Sequence, residues 1–206
     1  VDAANAGAFG AEGALREGGR DTIPDMPASA GLAARILELV ERSGSPHLVA
    51  AAVRAIGDGL AARADAPPDD LLFALASFAR HASSVVALAS VEALAHAPDV
   101  VSTARALAAG LEHADDAVSS AAVLQLAARD DGWEAAVQAL GHASPAVRRL
   151  AAEALAPRDA PRVRVELGRR LTVETNPDVR ATLEDALGSH GRSSPPSGIP
   201  SRREGR

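Results

Sequence analysis

The stretch HASPAVRRLAAEALA, His142 to Ala156, limits the possible folds more than any other because it recurs. At His81 to Ala95 the chain reads HASSVVALASVEALA, identical at 8 of 15 positions, and looser copies lie elsewhere in the sequence. When the copies are aligned, the position of Val147 is filled by Leu48, Val86, Val118 and Val179. That of Leu155 is filled by Ile56, Leu94, Leu126 and Leu187. Between them Ala151 aligns with Ala52, Ser90, Ala122 and Leu183. Offsets of four and eight residues fall on one face of a helix. Large residues at the ends of that face and small ones in its middle predict a helix that lies close against a partner. Successive Val-type positions are separated by 38, 32, 29 and 32 residues, which places an insertion around Gly59 to Pro68.

Each copy opens on a helix-start signal. Ser45-Pro46, Ser144-Pro145 and Asn176-Pro177 combine an N-cap side chain with a residue whose missing N–H goes unneeded in the first turn. A first helix precedes each copy, at about Gly31 to Arg42, Asp69 to Arg80, Asp99 to Glu112, Gly132 to Gly141 and Arg162 to Leu171. In the first of these, Leu32, Ile36, Leu39 and Val40 form the apolar face, and Asp131 with Glu134 has capping-box spacing ahead of the fourth. About a quarter of the chain is alanine and only 2% is aromatic, so a core must come from closely approaching helices. Two helices per unit at a period near thirty predict an all-α, right-handed α-solenoid of about five helical hairpins, in which stacking supplies the core that one hairpin lacks.

The expected organisation is a flexible linker over 1–29, a repeat domain over 30–188 and a disordered Ser, Pro, Gly and Arg tail over 189–206. The repeats are expected at about 31–57, 69–96, 98–128, 131–156 and 161–188. Thr182 and Glu184 replace apolar residues of the earlier repeats, as on the uncovered side of a terminal unit. The chain begins at Val1, which leaves room for a segment upstream. A cytoplasmic setting is the working expectation.

Chemistry-bearing patterns are scarce. There is no Cys, which excludes thiolate sites, and no phosphate-binding loop, HExxH or GxSxG. The net charge is −6, which disfavours a general nucleic-acid binder, and the use of Arg in place of every Lys is read as genomic base composition. Uncharged runs are too short for a membrane span. His81, His113 and His142 share one repeat position. Equivalent residues of stacked helices sit roughly 10 Å apart, whereas zinc ligands lie near 2 Å from the ion. They are therefore read as turn residues at the ends of preceding helices. Trp133 is either a partner anchor or a helix-start residue packed on its neighbour.

The pattern Ser-Pro-x-Val-Arg-x-x-Ala-Ala-x-Ala-Leu, from Ser144 to Leu155 and more weakly from Asn176 to Leu187, resembles the HEAT-repeat family, particularly its short-repeat branch. The resemblance spans about 30–188. It implies a scaffold whose second helices line a concave surface, and an inter-repeat ladder in which Arg148 and Arg180 meet turn carboxylates such as Asp115, Asp116 or Asp178. Family hydroxylases hold iron through His-Glu dipeptides, which this chain lacks. Arg148, Arg149, Arg158, Arg162, Arg164, Arg169 and Arg170 could instead form an anion-binding surface, as in HEAT-like DNA glycosylases.

On the expected concave face the outward columns read Ala50 and Arg54, Leu88 and Glu92, Ser120 and Leu124, Arg149 and Glu153, Ala181 and Asp185. Leu88, Glu92, Leu124, Arg149 and Glu153 are the candidate partner-binding residues: apolar in the middle, charged at the ends. The function expected is a non-catalytic scaffold for a protein or peptide, with no cofactor or metal and with nucleic acid and small molecules disfavoured. The alternatives are a HEAT-like enzyme or regulator, of nucleic-acid glycosylase or lyase-like chaperone type, and a structural spacer in a larger protein.

Overall fold

Proline at the first helical position, apolar residues at helical spacing and turns near every thirtieth residue produce helices alone among the described residues. The computed structural model describes residues 31, 35, 37, 38, 40–62 and 65–192, with side chains to residue 188. The linker expected over 1–29 lies outside the described residues, as does the expected tail beyond 192. Among the described residues, nine α-helices have both ends defined: α1 Pro46–Ala61, α2 Asp69–Phe78, α3 Ser84–Ala95, α4 Val101–Ala108, α5 Asp116–Ala128, α6 Trp133–Gln138, α7 Pro145–Leu155, α8 Pro161–Val173 and α9 Pro177–Arg192. Ahead of α1, residues 31, 35, 37, 38, 40 and 41 are also helical. There the buried side chain is Leu37, while Val40 is half-buried.

The helices form two layers. In one, α1 packs on α3, α3 on α5, α5 on α7 and α7 on α9. In the other, α2 packs on α4, α4 on α6, and α8 on the turn that ends α6. Hairpin contacts between α2 and α3, α4 and α5, α6 and α7, and α8 and α9 join the layers. This is a solenoid, each unit closed by its neighbours. Val86, Val118, Val147, Leu94, Leu126 and Leu155 are all inaccessible. Each fully buried leucine or valine of this kind is worth roughly 1.5–3 kcal/mol. Helix α3 buries Val86, Ala87, Ala89, Ser90, Val91, Ala93 and Leu94, nearly its whole circumference, because α1, α2, α4 and α5 all touch it.

The first repeat departs from the alignment by one residue. Leu48 is 50% exposed whereas Val49 is 3% exposed, and Ala50, assigned above to an outward column, is inaccessible. Its buried face reads Val49, Ala50, Val53, Gly57 and Leu60. The cause is close approach: a Cβ added to Gly57 would lie 2.7 Å from Ala93 Cα, so α1 turns its glycine, not Ile56, toward α3. Helix α1 also runs on to Ala61, taking up part of the insertion as an extra turn.

Other boundaries shift for local reasons. Helices α4 and α6 end in 3₁₀ turns, Ala109–Glu112 and Ala139–Gly141. The first is wedged between layers, since a Cβ on Gly110 would come within 2.9 Å of Val91 and 3.0 Å of Ala122. Helix α4 starts at Val101 because the Asp99 carboxylate is engaged elsewhere, accepting from the Asp130 N–H at 2.9 Å. The capping box does not form: Gly132 is the N-cap of α6 and Glu134 pairs with Arg162 at 2.7 Å. Ser45 and Ser144 make no side-chain cap, so proline carries those helix starts, whereas Asn176 Oδ1 accepts from the N–H groups of Asp178 and Val179.

Two substitutions test this packing. Thr103 is fully buried and its hydroxyl has no partner among the described residues. Thr103→Val removes an unsatisfied polar atom and should stabilise the protein by about 1 kcal/mol, read as a higher urea midpoint at unchanged m-value. Gly57→Ala gains helix propensity of about 1 kcal/mol but strikes α3, and the net result should be a loss of ~1–3 kcal/mol.

Candidate functional site

The second helices leave one row of side chains uncovered. Leu124, on α5, is 48% exposed. Leu88, on α3, is half-buried and packs against the core, so it offers only part of its surface. Glu92 is exposed and accepts from Arg54 Nε at 3.2 Å, tying α3 to α1. Arg149 and Glu153 are exposed and form a looser pair along α7 at 3.7 Å. Shallow grooves flank this row. One, of about 250 Å³, is lined by Arg54, Asp58, Glu92, Ala93 and His96; the other, of about 340 Å³, by Glu153, Ala156, Thr182, Asp185 and Ala186. The row can offer apolar contact and paired charge. Among the described residues no three His, Asp or Glu side chains are grouped to hold a metal.

The turns follow a rule that repeats with the chain. His81 Nδ1 accepts from the Ser83 N–H, His113 Nδ1 from that of Asp115, and His142 Nδ1 from that of Ser144. A ring that accepts at Nδ1 carries its proton at Nε2, and His113 Nε2 lies 3.0 Å from the His81 carbonyl, where it donates. The histidines are thus acceptors that order the turn before each second helix. Glu174 occupies the same repeat position in the last unit and does the same work, accepting from the Thr175 and Asn176 N–H groups.

The ladder expected for Arg148 exists with a different carboxylate. Arg148 does not meet Asp115, Asp116 or Asp178. It donates to both oxygens of Glu174 at 2.8 Å and to the His142 and Ala143 carbonyls at 2.9 Å. Arg180 donates to the Leu171 and Glu174 carbonyls and lies 3.7 Å from Glu184. Asp115 and Asp116 serve a separate ladder: Ser84 bonds Asp115, and Ser144 Oγ donates to Asp116 at 2.5 Å. The Ser84 bond, with that from the Ala117 N–H, holds the Asp115 carboxyl below its ordinary range. At the other end of the helices, Arg129 donates to the carbonyls of Leu94, Ala95, Ala97 and Pro98, which end α3. Arg158 donates to those of Ala127 and Arg129, which end α5.

Residues 104–188 match the family model of the HEAT repeats. Two solved structures are similar in fold. One is a designed armadillo repeat protein in complex with the peptide (KR)4, with a TM-score of 0.45 and 18% identity, covering 79% of this chain and 83% of that one. The other is a further designed armadillo repeat protein, with a TM-score of 0.41, 20% identity and coverage of 79% and 84%. No curated protein matches the sequence.

Within the matched segment the Arg-rich stretch is largely neutralised. Arg148 and Arg170 converge on Glu174, Arg149 pairs with Glu153, Arg162 with Glu134, and Arg164 with Asp159. Arg158 is spent on carbonyls. Trp133 is half-buried and packs against the core at the start of α6, the packed alternative of the two foreseen. Sequence reasoning passed over Glu174 and Arg129. Both were visible in the columns, Glu174 as the carboxylate standing where earlier repeats have histidine and Arg129 as the counterpart of Arg158.

The Glu174 side chain is wholly buried, and the Arg148 guanidinium, foremost, holds its carboxyl far below the usual range against the opposing effect of burial. A depressed value means the carboxylate stabilises the fold fully above the ordinary glutamate pKa of about 4.3, and that this contribution fades as pH falls toward the folded value. Glu174→Gln leaves Arg148 buried without a counter-charge and should cost ~3 kcal/mol at pH 7. In urea melts the gap between the variant and the original should narrow at pH 3.

Proposed function

We propose that this array is a non-catalytic scaffold that holds a protein or peptide along the exposed row of α3, α5 and α7, with α1 and α9 at its rims. The contact residues are Leu88, Glu92, Leu124, Arg149 and Glu153. The observation that carries the reading is Leu124: a leucine nearly half exposed in the middle of a packed helical layer, between two shallow grooves. An apolar centre with a rim of paired charges suits a partner that covers the leucine and excludes water from it. The local Arg54–Glu92 and Arg149–Glu153 pairs leave little net field, so shape and apolar contact would select the partner more than charge.

A second reading, a nucleic-acid surface on the Arg-rich segment, draws little support, because six of its seven arginines, all but Arg169, are engaged with carboxylates or carbonyls. In the scaffold reading the cleanest test is Leu124→Arg, because Leu88 also packs on the core. Affinity capture from the source organism, quantified by mass spectrometry, should lose its specific partner with Leu124→Arg while circular dichroism stays unchanged. The binding loss expected for a central apolar contact is ~30-fold or more. A partner retained at equal yield would place the site elsewhere.

A further inference from the structure

The outer layer is closed between α6 and α8, where Arg162 pairs with Glu134 at 2.7 Å, and open between α2 and α4, around about 440 Å³. Phe73 is 79% exposed there, but Asp69 and Arg105 both line the opening, so its charge selects no occupant. The groove between α7 and α9, at one end of the inner row, is different. It encloses about 340 Å³, and its two charged side chains, Glu153 and Asp185, are both carboxylates.

Every polar side chain lining this groove can accept a hydrogen bond and none is cationic. Glu153 is held only loosely by Arg149, at 3.7 Å along its own helix. Asp185 is exposed and has no hydrogen-bond or ion-pair partner among the described residues. The Thr182 hydroxyl donates to the Asp178 carbonyl at 3.0 Å, which leaves its oxygen lone pairs to accept. Ala156 and Ala186, the remaining lining residues, add only methyl groups as side chains.

The backbone supplies an independent reason to expect a cation. In the repeat alignment Ala95, Ala127 and Ala156 occupy one column, near the ends of α3, α5 and α7. The Ala95 carbonyl accepts from Arg129 at 3.0 Å and the Ala127 carbonyl from Arg158 at 3.0 Å, each arginine lying one unit further on. Ala156, the next of the column, lines the groove, and no side chain among the described residues donates to its carbonyl. The column that supplies the arginines reads Arg129, Arg158 and then His190, whose side chain lies outside the described ones. The acceptor is thus repeated once more than the guanidinium. A helix C-terminus also bears a partial negative charge, which adds to that of the two carboxylates.

We propose that the groove between α7 and α9 takes an arginine from a peptide segment of the partner, its guanidinium set among Glu153, Asp185 and the Ala156 carbonyl. This site rests on the scaffold reading above and names what the partner carries at the α9 rim. Arginine suits the place because its planar fork presents five donors and no acceptor, whereas every polar group around it accepts. The net charge of −6 draws a cationic segment toward the array, and the rim then selects it.

Fluorescence anisotropy of labelled synthetic peptides on the full chain tests the site, in about 0.15 M salt to screen exposed charges beyond roughly 8 Å. One peptide has leucines in its first half and arginines in its second; the other has glutamine in place of every arginine. The arginine peptide should bind about tenfold or more tighter, as a charge-assisted contact requires, and Asp185→Asn should remove most of the difference. His190→Arg should weaken the arginine peptide alone, because the missing guanidinium is then supplied from within. Circular dichroism should be unchanged in both variants. Equal binding of the two peptides, or an arginine preference that survives both variants, would overturn the site; if Leu124→Arg still abolished binding, the scaffold reading would stand without it. An arginine preference untouched by Leu124→Arg but lost with Asp185→Asn would uphold the groove and move the apolar contact away from Leu124. Binding seen only after deletion of residues 193–206 would make this chain's own arginines the occupant and overturn the assignment to a partner.

Discussion

Neighbouring second helices in this array approach until backbone nearly meets backbone, with Gly57 against Ala93 as the tightest case. Such spacing is available only to glycine, alanine and serine at the contact, and it explains how a chain that is 2% aromatic still builds a continuous buried cluster. Dispersion falls off steeply with separation, so small side chains stabilise only when no gap is left between them. The leucines and valines at the ends of each face then close the core above and below that contact. A substitution that widens the spacing at one junction thus acts on those large residues as well, because they were sized for the narrow gap.

How much of this was legible from sequence differs between the layers. Second helices read well because their apolar columns, Val86, Val118 and Val147 with Leu94, Leu126 and Leu155, repeat at matching offsets and all reach zero exposure. The first repeat read wrongly by one residue. Cap alignment fixed where α1 begins, but the rotation of a helix about its axis is decided by its closest contact, and Gly57 carries no side chain to announce one. First helices were harder still: they share few letters, and α4 and α6 tighten into 3₁₀ turns only because of what lies on either side of them. Turn chemistry was hidden for another reason. A histidine that accepts at Nδ1 and a glutamate that accepts at Oε1 perform one task with different letters, and a search for likeness does not equate them.

The outer row of second-helix residues was readable as positions, since whatever lies opposite a buried column must face away. Its energetics were not. Whether Leu88 is free or half-covered depends on the inclination of α3 among four neighbours, and whether Arg54 reaches Glu92 depends on the same close approach that shifted α1. Phe73 escaped notice because a phenylalanine in the run Leu71-Leu72-Phe73 reads as core. Only the fold shows that its neighbours already fill that role. Two layers built on one scheme therefore differ in what they leave open. The inner row passes from charged pairs at its ends to leucine in its middle, while the outer layer is closed by a salt bridge at one junction and left open at another.

The arginines that reach the ends of α3 and α5 both lie in the repeat that follows. Helix carbonyls without such donors would be turned to water or left unpaired. The dependence runs one way: the unit containing α3 relies on Arg129, the unit containing α5 relies on Arg158, and the charge on Arg148 relies on Glu174 beyond it. An array wired in this manner has a polarity that its near-symmetric shape conceals. Loosening a later unit strips the helix ends of the one before, whereas loosening an earlier unit returns a guanidinium to solvent; either one uncovers the apolar face of its neighbour. Mechanical pull or proteolysis entering at the last repeats should thus travel toward the first more readily than the same insult travels the other way.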